Sequence, residues 1–344
     1  MHASTFSRKT LLFVAALLLA AAASLGLGLA HHLNSPADPE GRAGVFVVRE
    51  GWTLEEVALE LERRDVIRSR SAFRLWARVQ DAGRRIRSGE YRLGSHMTPI
   101  QILDMLTRGA VIIHPVTIPE GYTAEQIAGT LEREGLAGRE AFMALFRDQG
   151  FMAAHDLPGP TLEGYLYPDT YQFARGVSSR RIAETLVRRF WEVMEPLKPK
   201  VAASGLSLGE VVTLASIVEK ETGRAEERAL IASVFLNRLE RGMRLDSDPT
   251  VIYGIDGFDG NLTRDHLQTP TPYNTYRMRG LPPGPIANPG EAAIRAVLEP
   301  AESDYLYFVS RNDGSHQFSR TLSEHNRAVR TYQKGGRRRQ GKTS

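Results

Sequence analysis

The order of apolar and polar positions divides the chain into three stretches. Residues 10–30 carry no charge, and 21 such residues suffice for a helix across a bilayer core. From residue 44 onward, short apolar runs alternate with amphipathic ones. Val45-Phe-Val-Val48 predicts a strand, and Thr53 with Glu56 three residues on predicts a capping box opening a helix. Further helices are expected over 71–79 and 99–106, with a strand over 89–93. At Val116-Thr-Ile118 the pattern returns. Glu120-Gly-Tyr-Thr123-Ala-Glu-Gln126 repeats Glu50-Gly-Trp-Thr53-Leu-Glu-Glu56, an internal duplication in which glycine supplies the turn from strand to helix. Residues 162–171 are aromatic-rich and read as a loop-and-strand joint.

The third stretch starts with an amphipathic helix over 179–194. A second helix over 207–222 is opened by a capping box of Ser207 and Glu210, and a third spans 226–242. Past it, residues 244–254 read as a turn leading into a short β-like run. The segments 269–276 and 280–289 are loops stiffened by proline. Strands are expected over 305–309 and 314–318, around the turn at Asn312-Asp-Gly314, and a last helix over 322–332.

One helix breaks its own pattern. Leu214-Ala-Ser-Ile-Val-Glu-Lys-Glu-Thr222 is an apolar run that acquires two carboxylates, Glu219 and Glu221. A carboxyl group that loses solvent there keeps its proton toward neutral pH, and cleavage of a glycosidic bond needs such a proton. Residues two apart on a helix point roughly 200° apart, so the two acids cannot share one cleft. Periodicity does not choose between them. The small Ala215 leaves more room beside Glu219, a weak preference. Second carboxylates for a paired site are Glu163, Asp169 and Asp248. Loops bearing Tyr, Asn and Thr suit a carbohydrate cleft, because sugars take aromatic faces and amide contacts.

Composition narrows the field. The 344 residues are 42% hydrophobic and 24% charged, ordinary for a globular protein of two or three domains. The net charge of +4 owes much to Lys334, Arg337, Arg338, Arg339 and Lys342. A tail of that composition, residues 334–344, is expected to be disordered and solvated, with no nucleic-acid partner. The absence of cysteine excludes disulfides and thiol nucleophiles, and the nine histidines show no metal-binding spacing. No metal and no cofactor are expected. Arg8 and Lys9 precede the apolar run, which assigns residues 1–9 to a cytoplasmic stub and the bulk of the chain to the far side of the membrane. A cleaved signal peptide competes with this reading; the run is longer than a usual signal core, which favours a retained anchor over 10–30 and a linker over 31–43.

Several ordered motifs carry a resemblance. They are Leu214-Ala-Ser-Ile-Val-Glu-Lys-Glu-Thr222, Ser233-Val-Phe-Leu-Asn-Arg-Leu239, Asp248-Pro-Thr-Val-Ile-Tyr-Gly254, Thr271-Pro-Tyr-Asn-Thr-Tyr276, Gly280-Leu-Pro-Pro-Gly-Pro-Ile286 and Tyr305-Leu-Tyr-Phe-Val309. Together the chain resembles the YceG/MltG-type endolytic murein transglycosylases. The resemblance implies an α+β fold class: an N-terminal transmembrane helix, a small LysM-like βααβ module over 44–110, a second strand-helix repeat and connector over 111–178, and a mixed α/β catalytic domain over 179–333 around a central acid-bearing helix. LysM-like folds in relatives bind N-acetylated glycans. Here Trp52, Trp76 and Tyr91 could stack on sugars or fill a core, and a plain spacer remains an equal reading.

In that family the first Glu of the Glu-Lys-Glu run is taken as catalytic, which maps to Glu219. Substrate contacts are expected from Asp248, Thr250, Tyr273, Asn274, Thr275 and Tyr276, with Glu221, Ser216 and Asn237 in support. The implied reaction cleaves the MurNAc–GlcNAc bond within nascent peptidoglycan strands, leaves 1,6-anhydroMurNAc ends and terminates elongation beside peptidoglycan synthases. The implied location is the inner (cytoplasmic) membrane, single-pass, with the catalytic domain periplasmic. A peptidoglycan hydrolase with a second carboxylate and a non-enzymatic glycan-binding scaffold are the alternatives.

Overall fold

The computed structural model describes residues 8–334, so the expected basic tail lies almost wholly outside the described residues. Two compact units emerge among these residues, one of 8–114 with 172–177, the other of 115–171 with 178–334.

In the first unit, helix α1 (Arg8–Asn34) contains a 23-residue span, Leu12–Asn34, whose most apolar 18 residues have mean hydropathy 2.4, long enough to cross a membrane. The helix continues past residue 30 into the expected linker, where the Asn34 amide donates to the Ala30 carbonyl at 2.8 Å. Then come β1 (Ala43–Val48), α2 (Leu54–Arg63), α3 (Arg70–Val79), β2 (Gly89–Gly94) and α4 (Pro99–Arg108). β1 and β2 pair antiparallel, with Val48 opposite Gly89. Phe46 and Val48 point into the core while Val45 and Val47 face out, the two-residue period of a half-buried strand. Tyr91 belongs wholly to this core, and its hydroxyl donates to the Arg87 carbonyl at 2.6 Å, so it offers no face to a sugar. Trp52 and Trp76 pack against the same core and are only partly buried.

The second unit comprises most of β3 (His114–Thr117), α5 (Ala124–Arg133), α6 (Arg139–Met143), α7 (Gln149–Ala154), the first half of β4 (Thr170–Phe173), α8 (Ser179–Met194), α9 (Lys198–Ser204), α10 (Leu208–Glu221), α11 (Arg228–Glu240), α12 (Asp248–Tyr253), α13 (Arg264–Gln268), α14 (Glu291–Leu298), β5 (Tyr307–Ser310), β6 (His316–Ser319) and α15 (Leu322–Val329). Among the described residues helices mix with three two-stranded sheets, an α+β fold behind an N-terminal apolar helix. Both copies of the duplicated turn behave alike. Gly51 and Gly121 take φ of 84° and 74°, and Thr53 and Thr123 each close a capping box.

One expectation fails locally. The β-like run after residue 247 is helix α12, because Pro249 sits in its first turn, where a fixed φ and a missing N–H cost nothing, and this outweighs the strand preference of Val251 and Ile252. Helix α14 was not foreseen at all. It packs on α10 and α11 and completes the layer around α10.

The loop at 162–166 must pass close to α10. Gly164 has φ +88°, and a Cβ there would lie 2.5 Å from Pro285 Cγ and 2.8 Å from Val212 Cγ1. Gly164→Ala is therefore expected to destabilise the protein by about 2–4 kcal/mol. Denaturant unfolding checks this; a change below about 0.5 kcal/mol would show that the close approach is not a constraint.

Candidate active site

Helix α10 is buried on every side: Val211 through Val218 are all inaccessible, packed by α11, α12 and α14. Past the capping Glu210 its charged side chains appear only in the last turn, where Glu219 and Glu221 leave in different directions.

Glu219 turns toward α14. One carboxylate oxygen accepts the Gly290 N–H at 3.0 Å, at the N-cap of that helix, where the dipole favours an anion. The other lies 3.4 Å from an Arg228 guanidinium nitrogen, which also faces Glu120 at 3.9 Å. The side chain is only 6% exposed. Burial raises its affinity for a proton and the nearby Glu120 charge adds to this, while the Gly290 N–H and Arg228 oppose them. Ala215, whose small size spoke for a ligand beside Glu219, is itself fully buried.

Glu221 opens into a cavity of about 450 Å³, which it shares with Asp248, Tyr276, Arg238, Tyr307 and His325. The Ser247 hydroxyl donates to its carboxylate at 2.5 Å. Burial pushes the Glu221 carboxyl up to about 7, with the Asp248 charge adding to it and Ser247 and Arg238 acting against it. The Tyr276 hydroxyl donates to Asp248 at 2.7 Å. Arg238 is held behind them, donating to the carbonyls of Leu306 at 2.6 Å and Leu245 at 2.8 Å and to Asp246 at 3.2 Å. Of the residues expected to hold sugars, Asp248 and Tyr276 therefore gather around Glu221, and hydrogen bonds from those loops do not reach Glu219.

The others build the walls. Thr275 is fully buried, accepts the Ser247 N–H at 3.0 Å and meets the Thr250 hydroxyl at 2.8 Å. Asn274 is also buried and donates to the Thr269 carbonyl at 2.7 Å while accepting the Tyr276 N–H at 2.9 Å, locking its own loop. Tyr273 stands edge-on to Tyr253 at 4.8 Å. Ser216 accepts the Ile286 N–H at 3.0 Å and so ties the proline-rich loop to α10. Asn237 donates to the carbonyls of Ser303 and Tyr305. Among the described residues, no three His, Asp or Glu side chains come together as metal ligands.

Sequence reasoning missed Ser247, Arg228, Gly290 and Asn288, none of which stands in an unusual local pattern. Glu163 carried the same signal as Glu221, an acid inside an apolar run. It is 1% exposed and accepts from the Ala124 N–H at 2.9 Å, the Asn288 amide at 2.8 Å and the Tyr253 hydroxyl at 3.1 Å. Asp169, by contrast, forms a surface ion pair with Arg189 at 2.8 Å.

Burial raises the Glu163 carboxyl from the usual 4.5 to about 8, against those three donors. Its folded pKa is raised, so the fold binds the extra proton and loses stability as pH climbs from about 4.5 to about 8. The stability difference between wild type and Glu163→Gln should slope by up to about 1.4 kcal/mol per pH unit in that window. Denaturant midpoints taken at intervals of pH measure it; a flat difference would refute the buried proton.

Comparison with known proteins places this architecture. The model of the YceG-like family matches residues 46–331. A Bacillus subtilis (strain 168) protein named endolytic murein transglycosylase is 32% identical, covering 87% of this chain and 88% of its own length. A Streptococcus pneumoniae protein of the same name is 30% identical over 95% of this chain and 65% of its own. The 2.6 Å crystal structure of a yceG-like protein from Listeria monocytogenes superimposes with a TM-score of 0.58 at 32% identity, covering 84% of this chain and all of that one. With its acid-bearing helix, proline-rich loop and flanking strands inside the matched span, the chain belongs to the YceG-like family.

Proposed function

We propose that this chain is an endolytic murein transglycosylase with Glu221 as its proton donor. The observation that carries the reading is a carboxyl held at about 7 by burial and opening into a cavity beside Asp248 and Tyr276. The names of the Bacillus and Streptococcus relatives support the activity. In the first step protonated Glu221 gives its proton to the glycosidic oxygen between MurNAc and GlcNAc. That bond breaks with its electron pair on the departing GlcNAc, and positive charge develops at the muramic carbon, where the Asp248 carboxylate offers electrostatic relief. The Glu221 carboxylate then takes the proton of the same sugar's 6-hydroxyl, whose oxygen closes the 1,6-anhydro ring. The carboxyl ends as it began, and no water attacks.

Glu219, the acid favoured by the resemblance, fits a different role. Bound to the Gly290 N–H and Arg228, it fastens the end of α10 to α14 and so fixes the direction of Glu221. A second reading rests on Asp248, which lines the same cavity: if it activated water, the enzyme would be a hydrolase of the same bond. The remaining parts of the proposal concern place and partners. Helix α1 anchors the chain in the cytoplasmic membrane with its N-terminus inside. The strand–helix–helix–strand segment over 44–110 acts as a LysM-like contact to glycan or as a spacer. Glycan strands emerging from peptidoglycan synthases are the substrate, and cutting them ends elongation.

Digestion of purified peptidoglycan tests this. Wild type should release anhydro ends; reducing ends instead would move the assignment to the hydrolase. Glu221→Gln should lose at least about 100-fold in cleavage, and Glu219→Gln much less. The opposite ranking would return the donor role to Glu219. Since Glu221 must be protonated, kcat/KM should fall as pH rises through about 7. A rate that climbs across that range would remove Glu221 as the acid.

A further inference from the structure

The cavity that holds Glu221 takes part of its lining from β5, β6 and α15, with Tyr307, Val309, His316, Leu322 and His325 among the residues there. His316 stands apart in that set because its ring is held. The Glu227 carboxylate, just before α11, accepts the His316 backbone N–H at 2.9 Å with one oxygen and meets the ring Nδ1 at 2.7 Å with the other. The two side chains are only 12% and 11% exposed. The rings of Phe308 and His316 stand edge-on at 5.4 Å, which sets the plane of the imidazole. His325, the other imidazole of the cavity, stacks on Tyr307 at 5.3 Å, and its Nδ1 has no partner among the described residues.

The pairing with Glu227 fixes a tautomer. Burial works to raise the Glu227 carboxyl, but the two hydrogen bonds from His316 and the Arg224 charge outweigh it and hold the group below its usual 4.5. Glu227 is therefore ionised at neutral pH and has no proton to give, so Nδ1 carries the hydrogen of that bond. The neutral ring then presents a lone pair at Nε2. Nε2 has no partner among the described residues, and it is not one of the enclosed atoms. Pinning β6 beside α11 needs only the backbone bond, and Arg224 already ties the same turn by donating to the Asp313 carbonyl at 2.8 Å. The second bond from Glu227 does something further: it aims a hydrogen-bond acceptor.

We infer that His316 is a substrate-binding residue of this cavity, its Nε2 accepting a hydrogen bond from a hydroxyl of the bound sugar, with Glu227 as the positioning residue behind it. The inference rests on the reading of the substrate as a peptidoglycan strand, whose sugars are rich in hydroxyl donors. Asp248 already accepts from Tyr276, and Glu221 is occupied with the proton it transfers. An acceptor carried by β6, an element separate from α10 and α12, gives the sugar another point of attachment, and two points fix an orientation that one does not.

The two ring nitrogens can be removed separately. The side-chain amide of asparagine overlies Nδ1 of a histidine, and that of glutamine overlies Nε2. His316→Asn thus keeps a bond to Glu227 and loses the group in the cavity, and His316→Gln does the reverse. Steady-state cleavage of soluble peptidoglycan strands by the full-length chain reads the difference. His316→Asn should raise KM about tenfold with little change in kcat and leave the denaturant midpoint in place. His316→Gln should unfold at lower denaturant yet stay within about threefold of the wild-type KM. Glu227→Gln should raise KM about threefold in the wild type and not at all once His316→Asn is present. A wild-type KM in His316→Asn, or a larger rise for His316→Gln than for His316→Asn, would overturn the assignment and leave Glu227 and His316 as a structural tie. If His316→Asn does not fold, His316→Gln decides alone, and a tenfold rise in its KM overturns the inference. A wild type that cleaves nothing overturns the activity instead, a separate result.

Discussion

Burial of α10 on all sides is the constraint on which the site depends. The eight successive residues from Val211 to Val218 are buried, so past the capping Glu210 a charged group can leave the helix only in its final turn. Whatever stands around that turn then decides what each acid does. Toward α14 there is a helix N-terminus and a guanidinium, which oppose the rise that burial imposes on the Glu219 carboxyl without cancelling it. Toward α12 there is a serine hydroxyl, a second carboxylate and open space, which leave a carboxyl close to half-protonated near neutrality. Two glutamates two positions apart are thus different chemical groups, although neither differs in residue type from the other.

The loops that face Glu221 are rigid for a reason beyond their prolines. Asn274 ties its loop to three carbonyls, Thr275 and Thr250 tie that loop to the start of α12, and Ser216 ties the proline-rich segment to α10. Each tie uses a buried side chain to satisfy backbone groups that no helix or strand satisfies. The residue types that suggested sugar binding at Thr250, Asn274 and Thr275 serve first to make a cleft wall that does not move. Asp248 and Tyr276, at the surface of that wall, are the ones that meet the cavity.

Much of the fold could be read from the sequence because its signals are local. Capping boxes at Thr53, Thr123 and Ser207 mark helix starts, and alternation at residues 45–48 marks the first strand. What escaped was decided by residues distant in sequence. Periodicity could not separate Glu219 from Glu221, since the separation comes from Gly290 on one side and Ser247 on the other. Ala215, read as small, is buried inside the fold, and α14, which packs on α10, had not been foreseen. Strand preference in Val251 and Ile252 gave way to one proline at a helix start. Glu163 was noticed as an acid, but its partners Ala124, Asn288 and Tyr253 come from three separate segments.

The buried carboxyls have an effect on the protein's long-range field. Counting every acid as ionised gives +4 for the chain at pH 7, yet folding keeps Glu163 largely neutral and Glu221 partly so. The folded molecule is therefore more cationic at neutrality than the same chain unfolded. Any polyanion approaching it, whether a lipid surface or a wall polymer, meets an attraction that strengthens once the polypeptide has closed around those two protons.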